Sequence, residues 1–275
     1  MWGLRTLRSQ RASYSTAENT LNLNAPKSWR DMTQKQLKYV LTLLATFPDS
    51  VTVRTYMLIR FNGIQVLSRD RWGWKCYIRE RWWGRKRFFT IKPWQIESML
   101  SQLDYVDTYE DMGVRLEDIH GLRAVDVLLH GVRFLDYLNA EKYYQAYNIK
   151  QEDRYLMSLI RILYSPRKRW WHKVLHMDQQ KHIKASNAEM LGAYLWFSYV
   201  KTQLSQAFPH FFRKLAPEDA GDFDMRRAID AQVRALTDGD VTKEQRIFDT
   251  DCWRALTELD NKAREAEEWE RKLKH

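Results

Sequence analysis

The sequence predicts an α+β protein, predominantly α-helical, with a small three-stranded antiparallel sheet in the N-terminal half and a C-terminal helical arm. Three observations carry this. Apolar residues recur at helical spacing over most of the chain, as at Leu37, Val40, Leu41 and Leu44. After Gly63 the period drops to two: Ile64, Val66 and Ser68 alternate, and so do Trp74, Cys76 and Ile78. Ten Gly and six Pro in 275 residues are too few for an all-β sandwich punctuated by turns.

In chain order, residues 1–22 read as a disordered basic tail, 23–130 as an α+β module, 131–216 as a helical module and 217–275 as a linker followed by a helical arm. Thr33 followed three residues later by Gln36 is a capping box that opens the first helix, which Pro48 and Asp49 end. A second helix is expected from Ser50 to Arg60, with Val53, Met57 and Phe61 inward. The three strands lie between Ile64 and Ile91, separated by turn residues at Arg69-Asp70-Arg71 with Gly73, and at Gly84. Pro93 suits the first turn of the next helix, where its missing N–H costs nothing. Residues 104–130 lack a period and read as loop. Helices follow from Phe134 to Ala146, from Tyr155 to Tyr164, and from Asn187 to Phe208, the last closed by Pro209. Residues 217–224 form a polar, acidic linker. Met225 to Leu236 is a short amphipathic helix. Thr242 to Gln245 reads as a second capping box, from which a long helix runs to the C-terminus with a narrow stripe of Cys252, Leu256, Leu259, Ala263, Ala266 and Leu273.

Composition excludes several classes. Apolar residues at 44% and charged residues at 29% describe a globular chain, not a disordered one. The sequence has no apolar run long enough to span a bilayer. Two Cys exclude a disulfide scaffold or a Cys-rich zinc module. The net charge of +10 is concentrated: Arg54 to Lys92 holds eleven basic and two acidic residues, and Arg161 to Lys184 holds seven and one. Asp104 to Asp126 is acidic, with seven carboxylates against two Arg. One reading is a positive face for an anionic partner, nucleic acid or protein; the other is acidic and basic segments neutralising each other within the fold. The first 17 residues, with Arg5, Arg8 and Arg11, several Ser/Thr and no acid, fit a mitochondrial presequence as well as a basic tail.

The sequence contains no recognisable catalytic signature: GxSxG, P-loop, GxGxxG and HExxH are all missing. His172, His176 and His182 lie in a cationic stretch that opposes a bound dication, and no metal or cofactor is expected. The densest signal is Arg69 to Trp94, where Trp72, Trp74, Tyr77, Trp82, Trp83, Phe88, Phe89 and Trp94 interleave with cations. Cations neutralise phosphates and exposed rings stack on unpaired bases. The ordinary reading, which the residues favour, makes these rings core and cross-strand pairs. Arg79, Arg81, Trp82, Trp83, Arg85, Lys86, Arg87, Arg167, Lys168 and Arg169 form the candidate surface for nucleic acid or another anionic partner. Phe208, Phe211, Phe212, Leu256, Leu259 and Trp269 are candidates for binding a protein partner, although Phe208 to Phe212 reads more readily as a segment folded back over the core.

Several strings carry a resemblance: Asn24-Ala25-Pro26-Lys27-Ser28-Trp29, Phe61-Asn62-Gly63-Ile64, Leu195-Trp196-Phe197, Phe208-Pro209-His210-Phe211-Phe212, Arg234-Ala235-Leu236-Thr237 with Gly239-Asp240-Val241-Thr242-Lys243-Glu244, and Trp253-Arg254-Ala255-Leu256-Thr257-Glu258-Leu259-Asp260. In these the chain resembles an uncharacterised protein family of Bacteroidales genomes, prophages and phages, over about residues 22–270. The resemblance carries no catalytic residues. It implies a non-enzymatic phage or prophage assembly or interaction protein, of the tail-assembly-chaperone kind, acting in the bacterial host cytoplasm on a structural protein such as a tape-measure or tail-tube protein. The alternatives are a nucleic-acid-binding protein using the basic, aromatic surface, and an imported protein of the mitochondrial matrix.

Overall fold

The computed structural model describes residues 25–79, 84–109, 112–166, 184–213 and 225–273. Its helices are α1 (Gln34–Thr46), α2 (Ser50–Phe61), α3 (Pro93–Ser101), α4 (Phe134–Lys150), α5 (Asp153–Leu163), α6 (Asn187–Ala207), α7 (Met225–Thr237), α8 (Glu244–Phe248) and α9 (Cys252–Leu273). The strands are β1 (Gln65–Asp70), β2 (Gly73–Arg79), β3 (Lys86–Ile91), β4 (Asp118–Ile119), β5 (Leu122–Ala124) and β6 (Tyr164–Pro166). The protein is therefore α+β and mainly helical, with the expected three-stranded antiparallel sheet in its N-terminal half.

Two compact units divide the chain, and they are not the consecutive modules expected. One contains Arg54–Asp104; the other contains Lys27–Val53 together with the chain from Tyr105 onward. Residues 27–53 and 105–130 thus group with the later helices and not with the sheet. Grouping follows packing, which a boundary read along the chain does not see. The expected tail (1–22) and linker (217–224) lie outside the described residues.

In the sheet unit, β1, β2 and β3 pair in order, with Cys76 opposite Val66 on one side and Phe89 on the other. A bulge between Val66 and Ser68 absorbs Leu67. Ile64, Cys76 and Ile91 form the core, packed by Val66, Trp74, Ile78 and Phe89 and by Ile96 and Met99 of α3. Pro93 occupies the first turn of α3, as expected. Arg54 and Asp104 form an ion pair between the two ends of the unit.

In the other unit, α6 is the central helix, packed by α1 and α5; α4 packs on α5 and on α9, and α7 packs on α9. The Thr33–Gln36 capping box is present at α1. A second one, Ser186 with Glu189, opens α6. Glu189 is buried yet ionised: burial alone would raise its carboxyl, but the Ser186 amide and hydroxyl and Lys38 (2.9 Å) together hold it below the ordinary glutamate range. Trp29 is buried and donates its indole N–H to the Tyr105 and Thr108 carbonyls. The aperiodic stretch 104–130 is mostly irregular, as expected, but contains β4 and β5, which pair with β6 in a second small antiparallel sheet. Tyr164, at the start of β6, is buried and donates its hydroxyl to the Leu116 carbonyl.

The C-terminal half corrects one expectation. The long helix expected from Thr242 is broken: a 3-10 turn (Val241–Lys243) and α8 precede a gap at 249–251, and α9 begins at Cys252. The caps are aspartates. Asp240 accepts the Thr242 N–H, while Asp251 accepts those of Trp253 and Arg254. The stripe on α9 packs within this chain, against α4 and α7. Cys252, Leu256 and Leu259 are buried within the unit, and exposure begins at Ala266.

Candidate functional site

Alternation along paired strands sorts the Arg69–Trp94 cluster onto two faces. Residues directly opposite each other share a face. Trp74 pairs with Ile91, and Cys76 with Phe89, on the covered face. Tyr77 pairs with Phe88, Lys75 with Thr90, and Arg79 with Lys86 on the other. That outward face carries exposed Lys75, Arg79, Lys86 and Phe88, with Tyr77 half-buried between them. Among the described residues its carboxylate is Asp70 at the hairpin end, 3.9 Å from the Lys75 ammonium.

The two rings on this face touch each other, and one of them carries a cation. Tyr77 and Phe88 lie 5.8 Å apart, tilted by 47°. The Lys86 ammonium sits 4.7 Å over the Tyr77 ring, so that ring already has an electrostatic partner. Phe88 is 59% exposed and presents its ring to solvent. At the hairpin, Trp72 is exposed under Arg71, while on the covered side Arg69 lies over Trp74.

Of the expected anion-binding residues, Arg79, Arg85, Lys86 and Arg87 are exposed in or beside the sheet. Arg87 pairs with Ile78 and so belongs to the opposite side from Arg79 and Lys86. Arg81, Trp82, Trp83, Arg167, Lys168 and Arg169 lie outside the described residues, as do His172, His176 and His182. Lys75 was not among the expected residues. The signal for it was the spacing Lys75, Tyr77, Arg79, which places all three on one side of a strand.

The expected protein-binding residues separate. Phe208 is buried, packing edge-on against Trp253 at 5.2 Å, and Leu256 and Leu259 are core; these three are not surface contacts. Phe211 and Phe212 are half-buried. Their segment is fastened to α9 by the His210 and Phe211 amides, which both donate to Asp260 at 2.9 Å, and by His210 Nδ1 at 3.1 Å from Glu267. The segment folds back over the core. Trp269 is 67% exposed near the end of α9.

Both thiols are buried. Burial, with Asp251 nearby, pushes Cys252 up to about 12, and burial also raises Cys76 against the opposing pull of Arg69. Each stays protonated near neutral pH and is a poor nucleophile. Among the described residues, no three His, Cys, Asp or Glu side chains gather where they would hold a metal ion. No described helix is long and apolar enough to cross a membrane.

The fold and the site together define a mainly helical α+β protein with a basic, aromatic sheet face. Compared with protein-family models, curated proteins and solved structures, the chain matches none.

Proposed function

We propose that this is a non-enzymatic interaction protein that grips an anionic macromolecule through the outward face of β1, β2 and β3. One observation carries the reading: Lys75, Arg79 and Lys86 share that face around two aromatic rings, within a segment holding eleven basic residues against two acidic. Cations collected on one face attract a polyanion and release its counterions on contact. The expected result is that the triple variant Lys75→Gln, Arg79→Gln, Lys86→Gln elutes from a heparin column at clearly lower salt than the unaltered protein, with unchanged circular dichroism. Equal elution would remove the reading.

A second reading is favoured by the exposed end of α9, where Trp269 and Leu273 are 67% and 83% exposed. There the protein would hold a phage structural protein, such as a tape-measure or tail-tube protein, during assembly, in line with the resemblance of the sequence to a phage and prophage family. Co-purification with such a protein from phage-producing cells is expected to be lost in Trp269→Ala, Leu273→Ala. Retention in that double variant excludes α9 as the holding surface.

A further inference from the structure

We infer that the anion held by the sheet face is single-stranded nucleic acid, with an unpaired base stacked on Phe88 and its backbone phosphates neutralised by Arg79 and Lys86. The inference rests on the anionic-partner reading above and deepens it by naming the partner. Its basis is the register of β2 and β3. The aromatic pair Tyr77–Phe88 and the cationic pair Arg79–Lys86 are consecutive on the same face, one two-residue step apart along both strands. That step is about 6.6 Å, so a ring and two cations lie side by side at the scale of a single nucleotide.

The rings decide the chemistry of the partner. A polycarboxylate such as polyglutamate would use the cations but offers nothing to cover a 59% exposed phenyl ring beside them. A duplex offers phosphates, but each of its bases already has both faces covered by neighbours in the stack. A single strand offers phosphates and open base faces together, and aromatic side chains on basic surfaces bind such bases with little sequence preference. Tyr77 lies against Phe88 at 5.8 Å and is capped by Lys86, so it buttresses the stacking ring and holds the ammonium at its edge. Asp70, near Lys75, weakens its own end of the face for phosphate.

The test is fluorescence anisotropy of the full chain with labelled dT12, with a 12-base-pair duplex and with polyglutamate, at 50 and 200 mM salt. The expected result is preference for dT12 and steep weakening at the higher salt. Phe88→Ala should lower dT12 affinity roughly ten- to a hundredfold while changing duplex binding little, and Phe88→Trp should restore it. Because Phe88 is exposed, circular dichroism and melting of Phe88→Ala should match the unaltered protein. Equal binding of dT12 and duplex, unaltered by Phe88→Ala, overturns the inference and leaves the anionic-partner reading standing. So does preference for polyglutamate. Failure to bind any of the three probes overturns both.

Discussion

Trp196→Ala is expected to destabilise the helical unit by roughly 3–5 kcal/mol, the range for removing a large buried aromatic. Trp196 is fully buried near the middle of α6. Its indole N–H donates to the Val127 carbonyl at 2.9 Å, Tyr164 meets it edge-on at 5.9 Å, and the Arg115 guanidinium lies 5.4 Å from its ring. Alanine leaves a cavity that the surrounding helices fill only in part, and it strands the carbonyl of an irregular segment without its donor. The irregular chain before α4 is thereby coupled to the central helix. Thermal melting followed by circular dichroism should show a loss of about 10 °C, given the usual size scaling. Trp269→Ala, on an exposed ring, is the contrast and should melt as the unaltered protein does. A Trp196→Ala melting temperature within about 2 °C of the original would contradict the packing described, on the same scaling.

Gly73→Ala should dismantle the sheet. Gly73 begins β2 with φ of +129°, a conformation that side-chain-bearing residues rarely adopt. A Cβ there would lie 2.0 Å from the Ile91 carbonyl oxygen and 3.0 Å from its carbon. Both obstacles are backbone, and the strand carrying them is the partner of β2, so neither can move without opening the ladder. Strained dihedral and clash together place the cost on the order of 3 kcal/mol or more. Hydrogen exchange is the appropriate measurement: amides of β2 and β3 should lose protection, while α6 keeps its own. Heparin retention should fall too, although every cation is still present, because the outward face exists only while the register holds. Unchanged protection in both strands would show that the close approach of Gly73 to Ile91 is wrong.

The elements that were legible in the sequence are those whose signal is local. The Thr33–Gln36 capping box, Pro93 in the first turn of α3, and the alternation of Trp74, Cys76 and Ile78 each concern residues a few positions apart. The elements that were missed are long-range or very short. β5 pairs with β6 some forty residues later, through strands of three residues each, too short to display a period. The gap at 249–251 interrupts what reads as one helical stripe, and the Asp251 side chain that starts α9 also accepts the distant Gly131 amide. The Ser186–Glu189 box is a local signal, directly after a cationic run.

The candidate site divides in the same way. Sequence by itself determined that the segment 54–92 is basic and aromatic, that it alternates after Gly63, and that a helix starts at Pro93, because these follow from composition and from backbone geometry repeated over neighbouring residues. Tertiary structure alone decided that Trp74 and Phe89 face the covered side while Tyr77 and Phe88 face out, that Phe208, Leu256 and Leu259 are core, and that Trp269 is not. An alternating strand and an amphipathic helix each offer an apolar side, but which side is buried depends on the element that comes to lie against it, and here those elements, α3 for the sheet and α4 and α7 for α9, are joined through turns and pairings that local pattern does not encode.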